Sequence, residues 1–283
     1  DNREDTAQLI NHDLTNIDAW AKRWLVNFSA AKTKSLIISN KRDRAQNPPV
    51  TFGDVNIEEV DHYKYLGLII AYNLRWNIHI DNITKKATKR LNSVMPLKFK
   101  LDRKSLETIY LSFILPTMEY GNIVWGGTYE SDVLKLERIN VEAMRFVSGS
   151  TAKSNIANLY DELGWRSIQD RINDAIKCMM FKITTDNAPV YLQEILEEFK
   201  PQTVPYEFRE RKEHRAPYFK ETCRRSFFHR GISLWEEVPD EFKAKTSIAS
   251  FKQSLKKSYP IRKIIYYYGA RWPQIHHSRL RVG

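Results

Sequence analysis

Cysteine is scarce: Cys178 and Cys223 are the only two in 283 residues, and they stand 45 positions apart. That count excludes a disulfide framework, and a Cys/His zinc site would need closer pairing. A reduced intracellular setting, cytoplasmic or nuclear, is therefore the expectation. Long apolar runs are missing too. The longest, Tyr65 to Tyr72, falls far short of the roughly 20 residues that a membrane helix needs, so no membrane is expected among the partners. The opening stretch, residues 1–18, is polar and acidic, unlike a secretory leader. The chain opens on Asp1 and its first methionine is Met95, which leads us to expect further natural sequence upstream.

Catalytic signatures are equally sparse. Two-metal phosphoryl transfer needs carboxylates close enough to hold two ions about 4 Å apart, yet no Asp-Asp pair occurs. Asp161-Glu162 and Asp240-Glu241 come nearest. Both fall at predicted helix edges, where the helix dipole alone favours acids. Gly-Lys-Ser/Thr, Gly-x-Ser-x-Gly and His-Glu-x-x-His are absent, which removes the common phosphate-loop, serine-hydrolase and metalloprotease chemistries. His276 and His277 adjoin, but side chains of chain neighbours are expected to point apart, which predicts an exposed tail pair. We therefore expect neither a metal ligand nor a bound cofactor from this chain alone.

What is present is ordinary globular material, 42% hydrophobic, 28% charged and 12% aromatic. Such aromatic content argues against disorder, and the length suits two or three domains. The net charge is +11, from 45 Lys+Arg against 34 Asp+Glu, with a pI near 9.5. That is the footprint expected of a chain that meets polyanions, although basic proteins without such a partner are common.

Periodicity divides the chain. Ile10, Leu14, Ile17, Ala21 and Trp24 repeat at helical spacing and predict a helix over about 4–26, closed by a left-handed Asn27. Residues 35–39 read as a short strand. Val50-Thr51-Phe52 and Val55-Asn56-Ile57 flank Gly53-Asp54, a two-residue hairpin turn. Residues 65–71 look like buried strand, with Leu66 in its core. From Trp76 the period becomes helical. Ile80, Ile83, Ala87, Leu91 and Val94 mark one face. Asp102 opens a second helix with Leu106, Ile109, Tyr110 and Phe113 inward, which Pro116 stops. A third spans 131–148 and ends at Gly149, and a fourth starts at Ser167 with Asp170 completing a capping box. Residues 200–230 read as a basic loop, and a last helix spans 247–257. The fold class expected is α+β, mostly α.

Two basic segments stand out. Lys85, Lys86, Lys89 and Arg90 project opposite or beside the apolar face of their helix. A row of cations so placed would suit a phosphate backbone, through salt-dependent counterion release; the alternative is a solvated helix face. Arg209, Arg211, Lys212, Arg215, Lys220, Arg224, Arg225 and Arg230 interleave with Tyr206, Phe208, Tyr218, Phe219, Phe227 and Phe228. Aromatics beside cations can stack on bases, but four glutamates dilute this second set, and packing is the simpler reading.

Several blocks resemble one family. Ala19-Trp20-Ala21-Lys22-Arg23-Trp24, Lys32-Thr33 and residues 36–39 are followed by Tyr63-Lys64-Tyr65-Leu66-Gly67, Leu74-Arg75-Trp76 and His79-Ile80. Residues 115–121 with Val124-Trp125, then Leu163-Gly164-Trp165, residues 180–183, residues 189–192, residues 226–230, Leu234-Trp235, Val238-Pro239 and residues 250–252 continue the order. Together they resemble the carboxy-terminal part of the reverse transcriptases of non-LTR, jockey-like retrotransposons.

That resemblance implies a palm remnant over 1–72, a helical thumb over 73–150 and a helical post-thumb domain over 151–283. It implies RNA-templated DNA synthesis with Mg²⁺ for the parent, whose Ala-Asp-Asp motif would lie upstream of Asp1. Lys32 would match the lysine that protonates the leaving pyrophosphate, although Ser29 stands where the family usually has Asn. Tyr65, Leu66 and Gly67 would be the primer grip, and Lys85, Lys86, Lys89 and Arg90 would face a template–primer duplex of RNA and DNA. The sequence also admits two other readings: a non-catalytic nucleic-acid-binding module, and a structural or protein-interaction domain.

Overall fold

The computed structural model describes residues 3–29, 32–39, 47–199 and 221–258. Arg209, Arg211, Lys212, Arg215, Lys220 and the segment 259–283, which carries Tyr266, Tyr267, Tyr268, His276 and His277, lie outside the described residues. The chain divides into two units, Asp1–His79 and Ile80–Gly283.

The first unit opens with α1 (Arg3–Arg23), whose first turn carries Glu4 and Asp5 and whose last carries Lys22 and Arg23, the arrangement the helix dipole favours. It closes earlier than the sequence suggests. Leu25, not Asn27, takes the left-handed conformation (φ 55°), and the Val26 N–H donates to the Ala21 carbonyl at 2.9 Å. That six-to-one bond satisfies an otherwise orphaned helix carbonyl. The apolar stripe is present but largely uncovered: Ala7 and Ala21 are buried, while Ile10, Ile17 and Trp24 stay exposed.

Asn11 ties α1 to the strands, donating to the Pro49 carbonyl (3.1 Å) and accepting from the Thr51 N–H (2.9 Å). The strands are short. β1 (Lys34–Ser35) is all that forms of the strand predicted over 35–39, and it pairs in parallel with Glu58 and Glu59. β2 (Thr51–Phe52) and β3 (Val55–Asn56) make the hairpin around Gly53-Asp54, with Gly53 at φ 58°. β4 (Glu58–Glu59) follows, then β5 (His62–Tyr65) and β6 (Leu68–Ala71), an antiparallel hairpin in which His62 faces Ala71 and Tyr65 faces Leu68.

α2 spans Asn77–Val94. Ile80, Ile83, Ala87, Leu91 and Val94 are all buried, as their spacing predicts. A 3₁₀ turn (Met95–Phe99) leads to α3 (Arg103–Ile109), where Asp102 accepts from the Ser105 N–H at 2.9 Å. Pro116 does not stop this helix. A π-helical segment (Tyr110–Ile114) intervenes, with the Leu115 N–H bonded to the Tyr110 carbonyl, and α4 (Leu115–Glu119) begins beyond it. Pro116 thus falls in the first turn of a new helix, where its missing N–H costs nothing. Of the residues expected inward, Leu106 and Tyr110 are buried, but Phe113 is exposed.

α5 (Asn122–Trp125) and α6 (Glu130–Ser148) follow, the latter ended by left-handed Gly149 (φ 75°). Then come α7 (Ile156–Leu163), α8 (Ile168–Thr184), α9 (Val190–Glu198), α10 (Glu221–Arg224), α11 (Phe227–Glu236), α12 (Asp240–Lys243) and α13 (Ile248–Ser258). The segment from Phe227 is helical rather than loop, capped by Ser226, whose hydroxyl accepts from the His229 N–H. Ser167 caps α8 in the same way, and its hydroxyl also donates to the Asp170 carboxylate at 2.7 Å, so the two predicted residues meet through side chains.

α8 is the axis of this unit, packed by α5, α6, α11 and α13. Phe181 stacks on Phe251 with centroids 4.5 Å apart. Gly231 sits so close to Met180 that a Cβ would fall 2.8 Å from its sulfur. Among the described residues the architecture is mostly helical with three two-stranded sheets, the α+β, mostly α class expected. Among the described residues, no helix is long and apolar enough to cross a membrane.

Candidate nucleic-acid interface

The β5–β6 hairpin turns through Leu66 (φ 46°) and Gly67 (φ 87°), both left-handed. Two positive φ values in a two-residue loop match the right-handed twist of the flanking strands. Gly67 adopts this conformation freely, whereas a leucine there is strained by about 1–2 kcal/mol. Leu66 is therefore not strand core: it caps the hairpin and is 72% exposed, with Tyr65 exposed beside it. β6 is held close to the turn by His79, which is buried and accepts the Ile69 N–H on Nδ1 at 3.3 Å, with Trp76 edge-on at 6.0 Å. Tyr65, Leu66 and Gly67 thus share one tip, braced by the bond to Ile69 just beyond it. Lys32 lies elsewhere in the same unit, exposed in a turn where its N–H donates to the Ser29 carbonyl at 3.0 Å.

On α2, each residue advances about 100° around the axis. Lys85 and Lys89 therefore point roughly opposite the buried face, Lys86 lies about 100° from its centre and Arg90 about 60°. Lys85, Lys86 and Lys89 are exposed, and among the described residues no carboxylate pairs with them. The only acid of the helix, Asp81, is taken by Lys135 at 2.7 Å, which also reaches Asp132 at 2.9 Å and fastens α2 to α6.

Arg90 is placed differently. Its guanidinium donates to the Phe113 carbonyl (2.7 Å) and the Thr117 hydroxyl (2.5 Å) and lies 4.7 Å from the Phe113 ring centroid. It clamps α2 to the π segment. Lys85 and Lys89, and Lys86 and Arg90, are like charges four residues apart, each pair costing the free helix about 0.2–0.5 kcal/mol. A bound polyanion would relieve that repulsion.

The acids behave as structural groups. Asp161 and Glu162 lie in the last turn of α7, the end the dipole disfavours for acids, and Glu162 is held by Arg103 at 2.7 Å. Asp240 and Glu241 open α12, as the edge reading expects. Among the described residues, no three His, Cys, Asp or Glu side chains gather where a metal ion could be held. The residues described do not fit the Mg²⁺ site of a polymerase.

Sequence reasoning missed one polar cluster altogether. Glu137 is buried and accepts from the Asn140 amide (2.8 Å), the Tyr160 hydroxyl and the Ile168 N–H (2.7 Å). Asn140 in turn accepts from the Tyr110 hydroxyl at 2.5 Å, and Tyr110 stacks on Trp165 with centroids 4.1 Å apart. Burial raises the Glu137 carboxyl above its ordinary pKa and pushes the Tyr110 phenol up as well. The spacing Glu137-x-x-Asn140 on an apolar helix face was the available signal. The network binds α6 to the start of α8 and is closed to solvent, so it is architecture rather than a site.

No protein-family model matches the chain, and no solved structure matches it. Curated proteins do. The chain is 23% identical over 172 residues, 60% of its length and 19% of the relative's, to the probable RNA-directed DNA polymerase from transposon X-element of Drosophila melanogaster. It is 23% identical over 167 residues (58% and 18%) to the RNA-directed DNA polymerase from mobile element jockey of the same species. To the retrovirus-related Pol polyprotein from type-1 retrotransposable element R1 of Bradysia coprophila it is 25% identical over 154 residues (52% and 15%).

The class these relatives define is the reverse transcriptase, an RNA-directed DNA polymerase of mobile elements. Within it, the homologues are those of jockey-like, non-LTR retrotransposons. The chain spans less than a fifth of the length of these curated relatives.

Proposed function

We propose that this chain is the part of a retrotransposon reverse transcriptase that grips the template–primer duplex. The observation that carries the reading is the row of exposed lysines on α2, Lys85, Lys86 and Lys89, with which no carboxylate pairs among the described residues. A helix face bearing three such cations neutralises phosphates regardless of base sequence, as a polymerase must while it moves along its template. The strained, exposed tip at Tyr65, Leu66 and Gly67 acts as the primer grip: Gly67 lets a strand backbone approach closely, and the Leu66 side chain is offered to the primer at a local conformational cost. Lys32 serves as proton donor to the departing pyrophosphate, since a cationic acid neutralises charge that develops on a leaving group. Arg90 positions α2 and contributes its remaining charge. In the parent enzyme, RNA-templated DNA synthesis would run on Mg²⁺ held by aspartates other than the acids described here, so residues 1–283 bind without polymerising.

Fluorescence anisotropy with a labelled RNA–DNA primer–template tests this. The wild-type chain should bind, and the triple variant Lys85→Ala, Lys86→Ala, Lys89→Ala should bind about tenfold more weakly or worse at 0.1 M salt. Equal affinity in the two proteins would sink the reading. So would nucleotide incorporation by purified 1–283 above a buffer control, as regards the division of labour.

A further inference from the structure

The 3₁₀ turn Met95–Phe99 carries a side chain that the core does not use. Phe99 is 91% exposed, and a large aromatic held in water is informative because burying it would be favourable. It is not on a loose loop. Pro96 fixes the start of the turn, the Lys100 and Leu101 N–H groups both donate to the Leu97 carbonyl (2.9 and 3.1 Å), and Leu97 is half-buried beneath it. α3 then begins at once.

The charge around the ring is one-sided. Lys98 places its ammonium 6.0 Å from the ring centroid, and Lys100 and Lys104 are exposed close by in sequence. The nearby acid, Asp102, is occupied: its carboxylate caps α3, accepting from the Ser105 N–H (2.9 Å) and hydroxyl (2.8 Å). Arg103 is occupied as well, held by the Glu162 carboxylate (2.7 Å) and carbonyl (3.2 Å). An exposed ring flanked by three ammonium groups that, among the described residues, pair with no carboxylate offers a stacking surface and phosphate contacts together, the combination that holds unpaired nucleotides. The turn also follows the C-terminus of α2 directly. At about 1.5 Å per α-helical and 2.0 Å per 3₁₀ residue, Phe99 lies no more than roughly 18 Å along the chain path from Lys89.

We propose that the turn Met95–Phe99 is a docking site for a single strand, where Phe99 stacks on an unpaired base while Lys98, Lys100 and Lys104 hold the neighbouring phosphates. This deepens the duplex-binding reading and rests on it. With the α2 lysines on the duplex, the chain would engage the junction where paired strand gives way to unpaired strand.

The test uses the full chain and two labelled substrates that share one duplex, one blunt and one extended by a single strand. The extension should tighten binding by the wild-type chain. Phe99→Ala should lose about tenfold on the extended substrate, the scale of one base–aromatic stack, and should bind the blunt duplex as before. Phe99→Trp should retain the extended-substrate affinity. Replacing Lys98, Lys100 and Lys104 by Ala should flatten the salt dependence on the extended substrate by about 2 in log–log slope, at roughly 0.7 per single-strand phosphate. An unchanged affinity of Phe99→Ala for the extended substrate, or an equal loss on both substrates, overturns the proposal. A shift of Phe99→Ala from dimer to monomer without a binding change overturns it too, and assigns the ring to a second copy of the chain. If neither substrate binds the wild-type chain, the duplex reading itself has failed; if only the lysine variants of α2 weaken the blunt duplex, that reading stands whatever Phe99 does.

Discussion

Replacing Glu137 probes the interior that carries both proposed binding faces of the second unit. Its carboxylate receives three buried donors, from Asn140, Tyr160 and Ile168. In Glu137→Ala all three lose their acceptor at once. Each unsatisfied buried donor costs about 1–3 kcal/mol. The Asn140 amide keeps weaker acceptors in the Tyr160 hydroxyl (3.3 Å) and the Arg166 carbonyl (3.4 Å), and such partial relaxation brings the summed loss to about 3–5 kcal/mol. For a unit of this size, 1 kcal/mol moves the melting temperature by about 2–4 °C, so Glu137→Ala should melt at least about 6 °C below wild type.

Glu137→Gln keeps the shape but turns one donor against another, and should cost about 1–3 kcal/mol. The pH dependence has a definite sign. Burial raises the folded carboxyl above 4.5, so from that pH upward the unfolded chain gives up this proton more readily than the folded one. Folding therefore loses stability as pH climbs through the raised value. Glu137→Gln cannot titrate, so its deficit relative to wild type should shrink as pH rises. Thermal melts by circular dichroism across pH 4 to 8 read both effects. A melting temperature of Glu137→Ala within a degree of wild type, or parallel pH profiles for wild type and Glu137→Gln, would refute the reasoning.

Two further substitutions test local geometry. Leu66→Gly should stabilise the first unit by about 0.5–1 kcal/mol, since the turn strain relieved exceeds the added chain entropy, while weakening primer–template binding; urea unfolding alongside anisotropy separates the two. Gly127→Ala should strongly destabilise the second unit, because a Cβ there would fall on the Arg225 backbone carbonyl, whose guanidinium lies 3.6 Å from the Tyr129 ring. A Gly127→Ala protein that melts like wild type would show that the loop has room to shift.

Regular periods made much of the second unit legible. Ile80, Ile83, Ala87, Leu91 and Val94 could be placed inward because one hydrophobic stripe fits one helix, and the same period put Lys85, Lys86 and Lys89 outward. Caps were legible for a chemical reason: the side chains of Asp102 and Ser167 can reach a free N–H two or three residues on, which few residue types can do. Leu66 was misread because an apolar run of β-forming residues looks like buried strand, and Leu-Gly is a poor turn signal beside Asn-Gly. Pro116 was misread as a stop because the π segment that accommodates it leaves no trace in composition. The bonds from Arg90 to Phe113 and Thr117, and the exposure of Phe99, arise from tertiary placement, which a one-dimensional period cannot carry. The α1 stripe shows the converse: Ile10, Ile17 and Trp24 keep the helical period while the described residues leave them exposed.

The salt dependence of duplex binding tests the central claim most directly. Between 50 and 200 mM salt, log affinity of the wild-type chain for a primer–template should fall linearly with log salt. The slope of the Lys85→Ala, Lys86→Ala, Lys89→Ala variant should be shallower by about 2.7, at roughly 0.9 for each of three phosphates. Parallel lines for the two proteins, or binding that ignores salt, would contradict the assignment of α2 to the phosphate backbone.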